Sequence, residues 1–157
     1  MARRIEVISA CHEQEAAGEA VGFYRATGRI APCLVTAGGG SANAVTGVAQ
    51  AHMDGIPLLV ISGNEQSRFF APPRSRTIGF QGFDPCDLVR TITKVCVSVD
   101  NALAARMALE TLYKTALDPR QGPVWLDIPQ NIAAEKIAED AETVDPWLGI
   151  SNPRVWK

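Results

Sequence analysis

Short apolar runs recur along the chain at residues 5–9, 32–35, 57–61, 92–99 and 124–128, and several of them carry no polar face. Pro57-Leu58-Leu59-Val60-Ile61 is the plainest case. A strand that is apolar on both sides must be covered on both sides, the condition met in a parallel sheet enclosed by helices. The intervening segments agree with this. Residues 12–27, 41–53, 84–89 and 102–117 hold helix formers, the longer segments with apolar positions at helical spacing, and Gly28 is a natural stop for the first. The expected fold is therefore α/β: a doubly wound, mostly parallel sheet with helices on both faces. Residues 62–77 are polar, contain Pro72-Pro73 and three arginines, and read as a loop.

A chain of 157 residues holds one ordinary domain. Residues 1–132 carry the alternating pattern, whereas residues 133–157 lose their periodicity and read as a C-terminal tail or linker that packs against something else. Acidic and basic residues are interspersed, for a net charge of −2, so neither nucleic acid nor an anionic membrane is an expected partner. No apolar stretch reaches the roughly 18 residues that span a bilayer. Cys11, Cys33, Cys86 and Cys96 form no C-x-x-C and no metal-ligand spacing. Cys33 and Cys96 sit in apolar runs and read as core. With no apolar leader run after Met1, the expected location is a reducing cytoplasm.

Three places carry chemistry. His12-Glu13 opens the first long helix, and Ala17, Ala20 and Tyr24 follow Glu13 on one helix face. Glu13 thus heads an apolar stripe at a helix N-terminus, where the helix dipole alone would also favour a carboxylate. A zinc motif H-E-x-x-H is excluded because its fifth position is Ala16. Next, Thr36-Ala37-Gly38-Gly39-Gly40-Ser41-Ala42-Asn43 is a glycine-rich turn between a strand and a helix, a place where a ligand can approach backbone N–H groups. It is no P-loop, since Gly-Lys-Ser/Thr is absent. Glu65 after the next strand leaves a nucleotide-binding oxidoreductase as one alternative. Finally, Phe80-Gln81-Gly82-Phe83 follows the arginine-bearing loop, and Gln81 between apolar neighbours can orient a polar substrate or simply lie in a loop pinned by phenylalanines.

Taken in order, His12-Glu13-Gln14, Gly22-Phe23-Tyr24-Arg25-Ala26-Thr27-Gly28, Leu34-Val35-Thr36-Ala37-Gly38-Gly39-Gly40, Asn43-Ala44-Val45-Thr46-Gly47, Met53-Asp54-Gly55-Ile56-Pro57, Ile61-Ser62-Gly63, Phe80-Gln81, Ile92-Thr93-Lys94 and Gly122-Pro123-Val124-Trp125-Leu126-Asp127-Ile128-Pro129 resemble the N-terminal pyrimidine-binding domain of thiamine-diphosphate enzymes of the acetolactate synthase type. The resemblance covers residues 5–132. It implies that Glu13 hydrogen-bonds N1′ of the aminopyrimidine ring and favours the 4′-imino tautomer that deprotonates C2 of the thiazolium. Such a carboxylate is expected to be shielded, with its pKa raised by desolvation. The resemblance further implies that Gly38, Gly39, Gly40 and Asn43 line the cofactor site, that Phe80 and Gln81 border the substrate, and that Lys94 is structural. The reaction implied is decarboxylation of a 2-oxo acid followed by carboligation or aldehyde release.

Two departures stand out. Gly39 occupies a position where the family usually carries proline. Only eleven residues precede His12, so the family's first strand–helix unit is expected to be absent, leaving an unpaired edge that invites a partner. The Gly-Asp-Gly…Asn motif that holds diphosphate and Mg²⁺ in this family is also absent from the sequence. The implied arrangement is a hetero-oligomer in which a second polypeptide binds Mg²⁺ and diphosphate. A non-catalytic assembly or regulatory subunit is the other alternative.

Overall fold

The computed structural model describes residues 5–70 and 76–137, together with the backbone of 154–155. Helix α1 (Glu13–Thr27) starts where His12 Nδ1 accepts the Gln14 N–H at 3.2 Å, and stops at Gly28, whose φ of 70° turns the chain out of the helix. There follow β1 (Cys33–Val35), α2 (Gly39–Asn43), α3 (Val45–Asp54) and β2 (Leu59–Asn64). A single 3-10 turn covers Ser67–Phe69. Helix α4 (Pro85–Val89) is capped by Asp84 Oδ1, which accepts from the Cys86 and Asp87 N–H groups. Then come β3 (Val95–Ser98), α5 (Ala102–Leu117), β4 (Val124–Pro129), α6 (Gln130–Ala133) and β5 (Arg154–Val155).

The sheet order is β1-β2-β4-β3-β5. The first four strands are parallel, and β5 joins the edge at β3 in antiparallel sense. This is the α/β architecture expected from the apolar runs. The end of the tail therefore lies on the domain's own sheet; residues 138–153, like Pro72, Pro73 and Arg74 of the loop, lie outside the described residues.

Each central strand sends alternate side chains into two separate cores. Leu58, Val60, Cys96 and Trp125 pack with Ala17, Ala20 and Val21 of α1, Val48 and Ala51 of α3, and Val89 of α4. Leu59, Val97, Val124 and Leu126 pack with Ala104, Ala108, Leu112 and Ala116 of α5. Full burial of a side chain such as Leu58 or Leu112 stabilises by about 1.5–3 kcal/mol. Lys94 lies just before β3, at the amino end of the sheet, where its Nζ donates to the Thr115 and Asp118 carbonyls at 2.5 and 2.9 Å and closes the C-terminal end of α5.

Three local expectations need correction. Residues 5–9 form no strand: Ile5, Val7 and Ile8 are 87%, 79% and 76% exposed. An apolar run becomes a strand only beside a hydrogen-bonding neighbour, and among the described residues no strand lies beyond β1. Leu34 of that edge strand points to the uncovered side, 74% exposed. The segment 41–53 is two helices, α2 and α3, meeting at Ala44. Cys86 of α4 and Cys96 of β3 are joined by a disulfide, with Cα atoms 5.2 Å apart, where the expected reducing setting would leave thiols; Cys96 is buried as read, and Cys11 and Cys33 are free.

At the carboxyl end of the sheet, Ser62, Asp127 and Ser98 lie abreast on β2, β4 and β3. Asp127 is buried, and both serine hydroxyls donate to it, Ser62 Oγ at 2.6 Å and Ser98 Oγ at 3.1 Å. Asn64 Nδ2 adds a third bond at 2.8 Å, and Trp125 Nε1 donates to Ser62 Oγ at 2.8 Å. Burial pushes the Asp127 carboxyl up to about 6, against the opposing pull of Asn64, Ser62 and Ser98 and with a small assist from Asp84. The folded state therefore binds this proton more tightly than the unfolded chain does. The resulting stabilisation is complete below the ordinary value of 3.8 and is lost as pH rises to about 6. Urea denaturation should show this decline between those limits, and Asp127→Ala should abolish that segment of the pH profile. At neutral pH the same variant strands three donors and should cost about 2–3 kcal/mol. A profile identical in wild type and variant would show that Asp127 does not titrate in this range.

Candidate functional site

The loops that leave the carboxyl ends of the parallel strands gather on one edge of the sheet, the usual place for a site in an open α/β sheet. The N-terminus of α1 arrives at the same edge because α1 runs back to feed β1. Residues far apart in sequence thus meet there, and Glu13 and Asn43 are 30 positions apart yet bonded.

Asn43 Nδ2, at the end of α2, donates to Glu13 Oε2 at 3.0 Å. The other oxygen, Oε1, faces Gly40, where an added Cβ would come within 2.9 Å of it and 2.5 Å of Thr36 Cγ2. Behind Glu13, Ala17 and Ala20 are buried and Tyr24 packs partly against the core, so the stripe read from the sequence faces inward. The carboxylate itself is only partly covered. Asn43 holds its pKa below the ordinary carboxylate value, helped by the Glu13 backbone N–H, against a smaller effect of burial. This differs from the raised value expected of a shielded acid, because a donor amide and a helix N-terminus outweigh the desolvation available at this edge. Cys33 beneath it is pushed up to about 11, first by burial and then by the Glu13 charge, so its thiol stays protonated and unreactive.

Gly38 has φ 68° and ψ −127°, and its carbonyl accepts from buried Ser41 Oγ at 2.9 Å. Any side chain here would strike the Gln81 carbonyl, so this glycine is what lets the 78–82 turn close onto the α2 turn. Gly39 faces open space. The structure therefore brings Glu13, Gly40 and Asn43 together as one group, and Gly38 and the Gln81 backbone as a second, adjoining one. Phe80 stands at the turn's tip, 92% exposed, and the Gln81 residue is exposed as well.

Glu65 does not stand free for a ribose. Its Oε1 accepts the Gln81 N–H at 3.2 Å, and its own N–H donates to Asn64 Oδ1 at 2.9 Å. Ser62, Asn64, Ser98 and Asp127 carry no site motif of their own in the sequence. One signal was available: an aspartate inside an otherwise apolar strand must find buried donors. Among the described residues, no group of three or more His, Cys, Asp or Glu side chains is placed to hold a metal ion.

The Glu13–Asn43 bond carries a direct expectation. In Asn43→Ala, Glu13 should titrate closer to the ordinary carboxylate value, as followed by the carbon chemical shift of its side-chain carboxyl in NMR. An unchanged titration would mean that Asn43 does not set this acidity.

Comparison with known proteins agrees with the geometry. The family described as "Thiamine pyrophosphate enzyme, N-terminal TPP binding domain" matches residues 1–87. The acetolactate synthase large subunit of Buchnera aphidicola subsp. Schizaphis graminum is 37% identical over 131 residues, 82% of this chain and 22% of that protein. The isozyme 3 large subunit of Escherichia coli K12 is 38% identical over 124 residues, 77% of this chain and 20% of its own length. The Lactococcus lactis large subunit is 33% identical over 135 residues, 86% of this chain and 23% of its own. The chain spans about a fifth of the length of these relatives. With the family profile matched over more than half its length and the glycine-rich turn set against Glu13, this chain belongs to the thiamine pyrophosphate enzymes, as an N-terminal TPP binding domain.

Proposed function

We propose that this chain is the pyrimidine-binding portion of a thiamine-diphosphate-dependent 2-oxo acid decarboxylase or carboligase, similar in chemistry to acetolactate synthase. The observation that carries this reading is the placement of Glu13. Its carboxylate sits at a helix N-terminus, oriented by Asn43, with Gly40 adding no side chain against its Oε1. An acceptor oxygen so placed fits a ring nitrogen of an aminopyrimidine. Glu13 would hold a shared proton at N1′, Asn43 would fix the carboxylate's orientation, and Gly38 to Gly40 would let the ring approach the backbone. When bound, thiamine diphosphate supplies the carbanion chemistry, and the protein supplies orientation and electrostatics.

Holding both ends of that cofactor calls for more than the described residues contain. In this reading they would supply the pyrimidine contacts, and no group of three or more His, Cys, Asp or Glu among them is placed to hold a metal ion. In this reading Mg²⁺ and diphosphate are held by a second polypeptide or a further domain, and the pair forms a hetero-oligomer. Covering the site would also remove Glu13 from water, raising its pKa towards the range useful for proton sharing. Phe80 and Gln81 are exposed on a turn against Gly38, and in this reading they would meet the 2-oxo acid. A cytoplasmic setting completes the proposal; the Cys86–Cys96 bridge is closed to solvent on both sides, which shields it from the thiol pool.

Two measurements test it. Titrating thiamine diphosphate and Mg²⁺ into the chain by calorimetry should give only millimolar affinity, since a few hydrogen bonds contribute about 1 kcal/mol each. Affinity should tighten when the diphosphate-binding chain is added. Micromolar binding by the chain alone would overturn the divided site. In the assembled complex, Glu13→Gln should slow exchange of the cofactor's C2 proton by about a hundredfold or more. Exchange as fast as wild type would favour a non-catalytic assembly subunit instead.

A further inference from the structure

The turn that carries Gln81 rests on a carboxylate from the neighbouring loop. Residues 78–82 close on themselves through paired backbone bonds, Ile78 N–H to Gly82 O at 2.7 Å and Gly82 N–H to Ile78 O at 2.9 Å. Gly79 has φ 61°, and both glycines of the turn lie flat against Glu65. A Cβ on Gly79 would meet Glu65 Cδ, Cγ and Oε2 at 2.9 Å; one on Gly82 would meet Glu65 Cγ at 2.8 Å and Asn64 Oδ1 at 2.5 Å. Two glycines thus leave a slot shaped to this side chain, and the Gln81 N–H points into it to bond Oε1. On its opposite side the Gln81 carbonyl abuts Gly38. The backbone of Gln81 is therefore clamped between a carboxylate and the glycine-rich turn.

The clamp has a rigid base. Glu65 follows directly on β2, and its N–H is held by Asn64 Oδ1. The two N–H groups of Asn64 Nδ2 go to Asp127 Oδ2 at 2.8 Å and to the Phe83 carbonyl at 3.0 Å, so one side chain ties the buried carboxylate of β4 to the chain just past the turn. The bonds to the Asp127 and Glu65 carboxylates are charge-assisted, the stronger kind, while the Asn64–Phe83 bond joins two neutral groups.

We infer that Glu65 is a positioning residue, a strut that fixes the 78–82 turn against the Gly38 turn and so sets where Gln81 and Phe80 stand relative to Glu13. The inference extends the reading of Gln81 as a substrate-facing residue. Glu65 does not touch substrate; it acts through the Gln81 backbone. Glutamine at position 65 keeps an acceptor oxygen of the same reach, whereas alanine keeps none.

The test compares Glu65→Ala with Glu65→Gln in two measurements. The first is amide hydrogen exchange in the full chain, read by NMR at Gln81 and Gly82, with Val60 and Trp125 as references for the intact fold. Alanine should speed exchange at Gln81 about tenfold, the loss of one bond to a charged group, while the references stay unchanged and glutamine restores most of the protection. Unchanged exchange in alanine, or equal loosening in both variants, would overturn the strut. The second is steady-state kinetics of the assembled enzyme. Alanine should raise KM for the 2-oxo acid about tenfold, with C2-proton exchange near wild type and rescue by glutamine. A turn that loosens while KM and product ratio stay fixed would confirm the strut and refute the substrate role of Gln81, so the two readings fail separately.

Discussion

A carboxylate buried on the central strand β4 sets the terms for the rest of this domain. Taking Asp127 out of water is costly, and the cost is offset only when Ser62, Asn64 and Ser98 all reach it. Those donors come from β2 and β3, the strands on either side of β4. The network is complete only in one register. Slipping β4 by a single residue would turn Asp127 towards Leu59, Val97 and Leu112, with no donor among them. Parallel strands have no hairpin to fix their alignment, so this polar row supplies a check that an all-apolar sheet would lack.

From that base the order runs outward to the solvent edge through Asn64, Glu65 and the Gln81 backbone, then Gly38 and Gly40, and finally Glu13. The acids at the two ends are shifted in opposite directions. Asp127 lies dry, and burial dominates; Glu13 lies at the rim, and a donor amide dominates. The inner acid serves the architecture, while the outer one is kept ionised and accessible to whatever covers that edge. Face coverage follows the same division. Helix α5 shields the centre of one sheet face and packs on β4, β2 and β3, whereas Leu34 of β1 stays exposed, as do Ile5, Val7 and Ile8.

Much of this was legible in the sequence, for identifiable reasons. Helix α5 occupies the segment read for it, since Asn101 caps its first turn and its apolar spacing is regular. Helix α1 was marked at its end by Gly28 and at its start by the change of pattern at His12. The break between α2 and α3 at Ala44 was not legible, because no proline or glycine signals it. Residues 5–9 misled because hydropathy records a tendency to be buried and says nothing of whether a neighbour exists. The grouping of Glu13 with Asn43, and of Glu65 with the 78–82 turn, depends on contacts across the fold that no local spacing encodes. The identity of the chemistry was legible only because ordered motifs resembled a family; the residues alone left a carboxylate, a glycine turn and a glutamine with several uses each.

The indole of Trp125 gives the domain a property of another kind. It is fully buried, and its N–H donates to the same serine hydroxyl that donates to Asp127. Any change in the charge of that carboxyl is felt one hydrogen bond away by the chromophore. Once Trp147 and Trp156 are replaced by phenylalanine, the emission of this single native side chain becomes an optical gauge of the dry end of the network, read without any added label.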